Sequence, residues 1–114
     1  KVPVLYTSRE EMKFSSYSKR MEFGLELAEF MAILVRKITN KLGYIISKGG
    51  ITTQILLQKG LNFNHVHLKG QILPGFSIVT GDSDQYNLPV VTFPGNLGNE
   101  KTLLEVLKLM DSIA

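Results

Sequence analysis

Two short segments of the sequence combine an apolar run with glycines at the predicted start of a helix. The first covers residues 45–50 and the second residues 90–98. In an α/β sheet, ligands gather beyond the carboxyl ends of the strands, and glycine there lets backbone N–H groups approach an anion closely. The helix that follows adds unpaired donors and the positive end of its dipole. The two segments therefore predict one shared anion site, and phosphate is the ligand that this chemistry favours.

The same glycines also have a purely structural interpretation. Turns between strands and helices contain glycine for steric reasons, so each turn taken alone fits a structural role equally well. Neither segment contains the G-x-x-x-x-G-K-[ST] pattern of a P-loop or the G-x-G-x-x-G pattern of a dinucleotide site. The spacing alone thus indicates a phosphate-binding α/β domain and no particular reaction.

Charged and hydroxyl residues beside the glycines are further candidates for the same site. Lys48 directly precedes the Gly49-Gly50 pair and could neutralise a phosphate, although a lysine at a strand end is also an ordinary solvated flank. Ser8 and Arg9 end the first predicted strand and could border the same cleft.

Two pairs of residues could hold a metal ion. His65 and His67 would share one face of a strand, but no third ligand is evident beside them. Asp82 and Asp84 could hold magnesium, yet their turn-rich segment favours aspartate for backbone reasons. We therefore assign no metal ligand in this chain.

The elements that must position the two turns are predicted from hydrophobic periodicity. Apolar residues between positions 21 and 38 recur at helical spacing, and a second helix is predicted over residues 53–59. A third helix begins at Asn99 or Glu100, with Asn99 as its N-cap. Strands are predicted at residues 2–6, 44–47, 65–68, 71–80 and 89–93. Strands that alternate with helices predict an α/β layered fold, with a mainly parallel or mixed sheet flanked by helices.

Length and composition narrow the class of protein. With 114 residues and 44% apolar content, the chain makes one globular domain, and the absence of cysteine excludes a disulfide scaffold or a thiolate zinc site. The longest apolar run, residues 30–35, is too short to span a membrane. A net charge of +3, spread along the chain, disfavours nucleic-acid binding. We expect a cytoplasmic domain, and the strand predicted at its very start suggests a fragment of a longer protein.

Three motifs in this order resemble those of the four-carbon acid sugar kinase family (DUF1537). They are KGGITT at residues 48–53, KGQILPG at residues 69–75 and FPGNLG at residues 93–98, and Thr7-Ser8-Arg9 also fits the family's pattern. More narrowly, the chain is similar over essentially its whole length to the carboxyl-terminal, nucleotide-binding domain of that family. The resemblance implies an ATP-dependent kinase acting on threonates or oxo-tetronates, whose amino-terminal domain carries the sugar-acid site.

The resemblance also implies which residues contact the nucleotide. The candidates are Gly49, Gly50, Ile51, Thr52, Gly95, Asn96 and Gly98, with Lys48 and Ser8 as additional ones. The sequence departs from the family at Ile51, where many members have an acidic residue. It departs again at Phe93-Pro94, which replaces a Lys-Ser pair, so a potential phosphate-binding lysine is missing.

Residues 1–114 are accordingly predicted to form a single nucleotide-binding domain, the carboxyl-terminal fragment of a two-domain kinase that uses ATP, with Mg²⁺. The missing amino-terminal domain would bind the four-carbon sugar acid and supply the general base, so the fragment alone should be inactive and no catalytic residue is assigned. The alternative is a degenerate or regulatory domain that binds a nucleotide or another anion without phosphoryl transfer. A plain interaction domain without ligand is a third hypothesis. We expect no membrane or nucleic-acid partner, and a homo-oligomer is possible.

Overall fold

The computed structural model describes residues 2–6, 15–81 and 88–113. Along these ranges a long helix is followed by a strand, a second helical segment, three strands and a final helix. In chain order they are α1 (Tyr17–Arg36), a 3₁₀ turn (Thr39–Lys41), β1 (Ile45–Lys48), α2 (Gly50–Ile55), a π-helical turn (Leu56–Gly60), β2 (Val66–Leu73), β3 (Phe76–Gly81), β4 (Val90–Phe93) and α3 (Thr102–Ile113).

The four described strands form one sheet in the order β1-β4-β3-β2. β1 and β4 run parallel, whereas β4 with β3 and β3 with β2 run antiparallel. The predicted α/β fold with a mixed sheet is therefore confirmed, and one of the three pairings between the described strands is parallel. The antiparallel pairing of β2 with β3 follows from the tight turn at Pro74-Gly75, since strands joined by a two-residue turn can pair only in that direction.

Hydrophobic side chains alternate between the two faces of the sheet and build one core layer on each. Val90 packs with residues of the π-helical turn and the segment after it, including Leu56 and Phe63. Val91, the next residue along, packs on the other face with Val106 and Met110 of α3. Both valines are fully buried, so β4, one of the two inner strands, contributes to both core layers.

The strand predicted at residues 2–6 is not formed. These residues have no regular secondary structure, and Val4 and Tyr6 expose 69% and 78% of their surface. β-type side chains favour a strand only where a neighbouring strand completes its hydrogen bonds, and none of the described strands pairs with this segment.

The long helix α1 lies against the π-helical turn at close range. A Cβ atom on Gly60 would stand 3.2 Å from the Ala32 carbonyl oxygen, so the glycine permits this approach. The Arg36 guanidinium donates to the Lys59 carbonyl, and the Lys59 ammonium pairs with Glu29 at 2.6 Å. These contacts fix the helical segment 50–60 that follows β1.

No helix in the described ranges is both long and apolar enough to cross a membrane.

All three α-helices begin at residues other than the predicted ones. α1 begins at Tyr17, four residues earlier than its apolar pattern, because Ser16 caps it by accepting a hydrogen bond from the Lys19 N–H at 3.2 Å. α2 begins at Gly50 rather than residue 53. α3 begins at Thr102, and Asn99 instead caps the turn before it, where its side chain accepts from the Lys101 N–H at 2.9 Å.

Candidate functional site

The parallel pairing of β1 with β4 brings the two glycine turns together. Lys48 and Phe93 are the last register partners of these strands, and the Gly49 N–H donates to the Phe93 carbonyl at 2.9 Å. A Cβ atom on Gly95 would lie 3.8 Å from the Gly49 Cα. Two segments far apart in the chain thus meet at the carboxyl end of the parallel strands, which is where α/β sheets bind ligands.

The first turn joins β1 directly to α2. Gly49 has a φ of +99°, which favours glycine, and its carbonyl accepts from the Thr53 N–H at 3.0 Å. Below the turn, the hydroxyls of Ser47 and Thr53 are 2.8 Å apart, and both residues are buried. The turn is therefore held from the strand on one side and from the helix on the other.

The second turn joins β4 to α3 and is held in a comparable way. The Leu97 N–H donates to the Pro94 carbonyl at 3.3 Å, and Gly98 follows with a φ of +84°. The Thr102 hydroxyl accepts from the Asn99 N–H at 2.8 Å and lies 3.3 Å from the Asn99 side-chain oxygen. Asn99 and Thr102 thus close the turn at the start of α3.

The glycines of the two turns fall into two groups. Gly49 and Gly98 are required by the fold, because both have positive φ and a Cβ on Gly98 would come within 2.7 Å of the Thr102 side chain. Gly50 and Gly95 are not required by it, since a Cβ on Gly50 would meet nothing within 4 Å and one on Gly95 only an ordinary contact. The fold therefore leaves open space at Gly50 and Gly95, the kind of space that a ligand needs to reach the backbone.

Lys48 places a positive charge at the edge of the same region. Its ammonium lies 5.2 Å from the centre of the Phe93 ring, within the range of a cation–π contact, and the ring itself is buried. Phe93 is in turn fixed by an edge-to-face contact with Phe76. Lys48, the residue before Gly49, thus contacts the ring of its strand partner, Phe93, which directly precedes the second turn.

Some of the remaining candidate residues lie in the paired turns, and others lie outside the described residues. Ile51 exposes 47% of its surface in the first turn of α2, Thr52 beside it is half-buried, and Asn96 is exposed in the second turn. These three lie in the paired turns together with the glycines and Lys48. Ser8, with its neighbour Arg9, lies outside the described residues.

Of the candidate metal ligands, the structure describes the two histidines, and they do not form part of a metal site. His65 and His67 are both exposed at the start of β2, the strand farthest from β1 in the sheet. Asp82 and Asp84 lie outside the described residues. Within residues 2–6, 15–81 and 88–113, no three histidine, aspartate or glutamate side chains come together as a metal site would require.

Ser47, Thr53 and Thr102 are the structural partners that the sequence analysis did not identify. Each supports a glycine turn through a hydroxyl group that reaches across the turn, a relation that becomes visible only in three dimensions. The available signal was modest: a serine two residues before the first glycine pair and a threonine a few residues after each turn.

Comparison with known proteins places this arrangement in a family. No curated protein matches the chain. Two crystal structures of a domain of unknown function (DUF1537) from Bordetella bronchiseptica, both domain-swapped dimers with bound citrate, share its fold. One matches 75% of the chain at 23% identity with a TM-score of 0.60, and the other 89% at 17% identity with a TM-score of 0.69. The chain spans 21% and 24% of the length of those proteins.

A family model gives the more specific result. The model of the nucleotide-binding C-terminal domain matches residues 1–103, which include both glycine turns and every candidate site residue. This agrees with the resemblance to the carboxyl-terminal domain of the four-carbon acid sugar kinases, and the matched crystal structures carry the same DUF1537 designation. The chain belongs to the family of nucleotide-binding C-terminal domains.

Proposed function

We propose that the paired glycine turns bind the phosphates of ATP, and that this domain is the ATP-binding part of a two-domain, cytoplasmic kinase for four-carbon sugar acids such as threonate or oxo-tetronates. The observation that carries the proposal is the open space at Gly50 and Gly95, one glycine in each of the paired turns, neither of which the fold itself requires. Membership in a nucleotide-binding family supports a nucleotide as the ligand of that space.

The backbone donors of the site can be narrowed down from the hydrogen bonds. The Gly49 N–H is already bonded to the Phe93 carbonyl, so Gly49 contributes its conformation rather than its amide. Gly50, Ile51 and Thr52 open α2, and the first amides of a helix have no carbonyl partner within it. On the second turn, Gly95 and Asn96 are exposed and complete the contact surface.

Lys48 supplies the positive charge of the proposed site. Its ammonium is held near both turns by the Phe93 ring and can reach a phosphate by rotation about its own side-chain bonds. Mg²⁺ usually keeps several waters and binds through substrate phosphates, so in the proposed site it would be held mainly by the ATP phosphates and water. A bound Mg²⁺ would neutralise phosphate charge.

In the proposed kinase, a second domain holds the acceptor for phosphoryl transfer. The acceptor hydroxyl must stand in line with the γ-phosphate, and catalysis then depends on positioning and charge stabilisation. In this proposal the chain provides the donor side, and the sugar-acid site and the general base lie in an amino-terminal domain. The larger size of the related crystallised proteins supports that division, and their domain-swapped dimers support a homo-oligomer.

A titration of the 114-residue chain with ATP and magnesium, followed by calorimetry, tests the nucleotide site. Gly50→Ala and Gly95→Ala should each weaken ATP binding by roughly tenfold or more, because the added methyl group fills the space that the phosphates need. Gly24→Ala, in the exposed part of α1 and equally free of contacts, is the matched control and should bind ATP as the parent chain does. Unchanged affinity in both turn variants would contradict the site.

A degenerate relative that binds the nucleotide without transferring phosphate is the second candidate. It is favoured by Ile51, which presents an exposed apolar side chain and no oxygen ligand in the first turn. The full-length gene product, assayed for ADP release with threonate and oxo-tetronates, separates the two. Turnover supports the kinase, and ATP binding without turnover supports the degenerate relative.

A further inference from the structure

We propose that Ser47 and Thr53 are positioning residues that hold the first glycine turn in its ligand-binding shape, an inference that rests on the proposed nucleotide site. Ser47 is the third residue of β1 and Thr53 the fourth of α2, so together they bracket the turn. Their side chains expose only 5% and 8% of their surface. Neither residue belongs to the contact surface itself.

The two hydroxyls form a self-consistent hydrogen-bonded pair. The oxygens are 2.8 Å apart, and the Thr53 oxygen is also 3.3 Å from the Ser47 carbonyl. When Thr53 donates its proton to that carbonyl, Ser47 donates to Thr53, and each buried hydroxyl proton then has an acceptor. Removal of the Thr53 hydroxyl leaves the buried Ser47 hydroxyl without its acceptor, and removal of the Ser47 hydroxyl takes from Thr53 its hydrogen-bond donor.

This pair is one of three ties on the same turn. The second is the bond from the Thr53 N–H to the Gly49 carbonyl, and the third is the bond from the Gly49 N–H to the Phe93 carbonyl of β4. A loop held at three points is ordered before a ligand arrives, so binding does not have to order it. Loss of the hydroxyl pair frees the α2 end of the turn relative to β1 and should weaken binding without altering any group that touches the ligand.

The second turn carries an equivalent device. There the Thr102 hydroxyl accepts from the Asn99 N–H at 2.8 Å, and Thr102 is as well buried as Thr53. Both turns thus use a buried threonine from the following helix, although the two segments share no longer sequence pattern. If the site requires two rigid turns, the same kind of support is expected in both.

The test compares Thr53→Val with a matched control. Valine keeps the branched shape of threonine and removes the hydroxyl. Thr39→Val is the control, because Thr39 is also 8% exposed and its hydroxyl makes a single bond, to the Arg36 carbonyl at 3.2 Å, outside the site. ATP affinity is measured by calorimetry and stability by urea denaturation, both on the 114-residue chain with magnesium present.

We expect Thr53→Val to raise the Kd for ATP about tenfold and Thr39→Val to change it less than twofold, at similar losses of stability. Thr53→Ser, which restores the hydroxyl, should recover most of the affinity. The double variant Ser47→Ala with Thr53→Val should bind no more weakly than either single variant, because each single change already breaks the pair. Equal affinity of Thr53→Val and the parent chain, or an equal loss in Thr39→Val, overturns the proposal.

Two further measurements keep the outcome decisive. If Thr53→Val does not fold, Ser47→Ala removes the partner hydroxyl with a smaller change, and parent-like ATP affinity in that variant overturns the proposal. If the parent chain itself binds no ATP, the proposed function fails, and amide hydrogen exchange then judges the inference separately. Faster exchange at Gly49 and Thr53 in Thr53→Val than in Thr39→Val supports the positioning role, and unchanged exchange at these amides overturns it.

Discussion

The four glycines of the two turns look alike in the sequence but have two different physical roles. Gly49 and Gly98 have positive φ, and the fold depends on their lack of a side chain. Gly50 and Gly95 lack a side chain where the fold has room for one. A sequence pattern records the residue type and not the backbone angle, so this division could not be predicted before the structure was known.

The structural role of Gly98 leads to a stability prediction. Gly98→Ala should lower the free energy of unfolding by about 1–3 kcal/mol, because alanine is strained at a φ of +84° and its Cβ would come within 2.7 Å of the Thr102 side chain. Gly95→Ala should cost far less, since its Cβ meets only an ordinary contact. Urea denaturation of both variants measures the difference, and equal losses would contradict the division between the two glycines.

Tyr44 should make the stability of the fold depend on pH in the alkaline range. Its hydroxyl donates to Asp111 at 2.6 Å, which ties the residue before β1 to the carboxyl-terminal part of α3. Desolvation, the hydrogen bond to Asp111 and the negative charge of Asp111 raise the pKa of Tyr44 from 10.0 to about 12. Between these values the folded protein keeps the phenol proton and the unfolded chain loses it, so stability falls as the pH rises from 10 to 12.

Replacement by Tyr44→Phe should remove this part of the pH dependence. The variant should be less stable at pH 9, because the hydrogen bond to Asp111 is lost, but its stability should fall less steeply between pH 10 and 12. Urea denaturation at pH 9 and pH 11.5 checks the expectation, and other groups that titrate in this range are common to both proteins. Parallel pH profiles would show that Tyr44 is not responsible.

At the scale of elements, the sequence predicted the periodic helices and most of the strands. It predicted less well where these elements begin and end, because contacts with other parts of the chain decide their boundaries. The apolar pattern located α1 and α3, because their buried faces recur at helical spacing. Residues 2–6 were assigned wrongly from the same kind of local evidence, since a strand also needs a partner. The parallel or antiparallel direction of each pairing depends on which strands come together, and short segments do not record that.

Gly81 makes a close contact between two parts of the fold that the sequence did not predict. It ends β3, and a Cβ there would overlap the buried ring of Phe63, which packs against the sheet. We expect Gly81→Ala to destabilise the fold by about 1–3 kcal/mol, because Phe63 must move. Gly24→Ala serves as the comparison and should stabilise α1 by up to about 1 kcal/mol, since it replaces an exposed helical glycine that contacts nothing.

Urea midpoints of the two variants should therefore shift in opposite directions from that of the parent chain. A Gly81→Ala midpoint at or above the parent value would show that the ring of Phe63 accommodates the methyl group at no cost.

At the scale of the whole molecule, the candidate site depends on the meeting of two distant segments. The sequence predicted both turns and a shared ligand, and the pairing of β1 with β4 brings the turns side by side. The sequence could not predict that the Phe93 ring would contact the Lys48 ammonium, or that the Gly49 N–H would donate a hydrogen bond within the fold. Those facts follow from register, which is decided by the packing of the entire sheet.

ATP should stabilise the whole domain if it binds only to the folded chain. At a concentration of 100 times its Kd, a ligand adds about 2.7 kcal/mol to the free energy of unfolding, which corresponds to roughly 10 °C in Tm for a domain of this size. A thermal-shift titration with magnesium and ATP measures this, and inorganic sulfate at equal ionic strength is the control. No shift at millimolar ATP would count against nucleotide binding by the isolated chain.

The pairing of β1 with β4 also decides when the site comes into existence during folding. The β2–β3 hairpin closes locally, whereas Ile45 and Val90 become partners only after the chain between them has formed a long loop, and non-local pairing of this kind is slow. Before that event Gly49 and Gly95 are not neighbours and ATP has nothing to bind. In stopped-flow experiments ATP should therefore leave the refolding rate unchanged and slow unfolding, so that the ligand extends the lifetime of the folded domain without helping to create it.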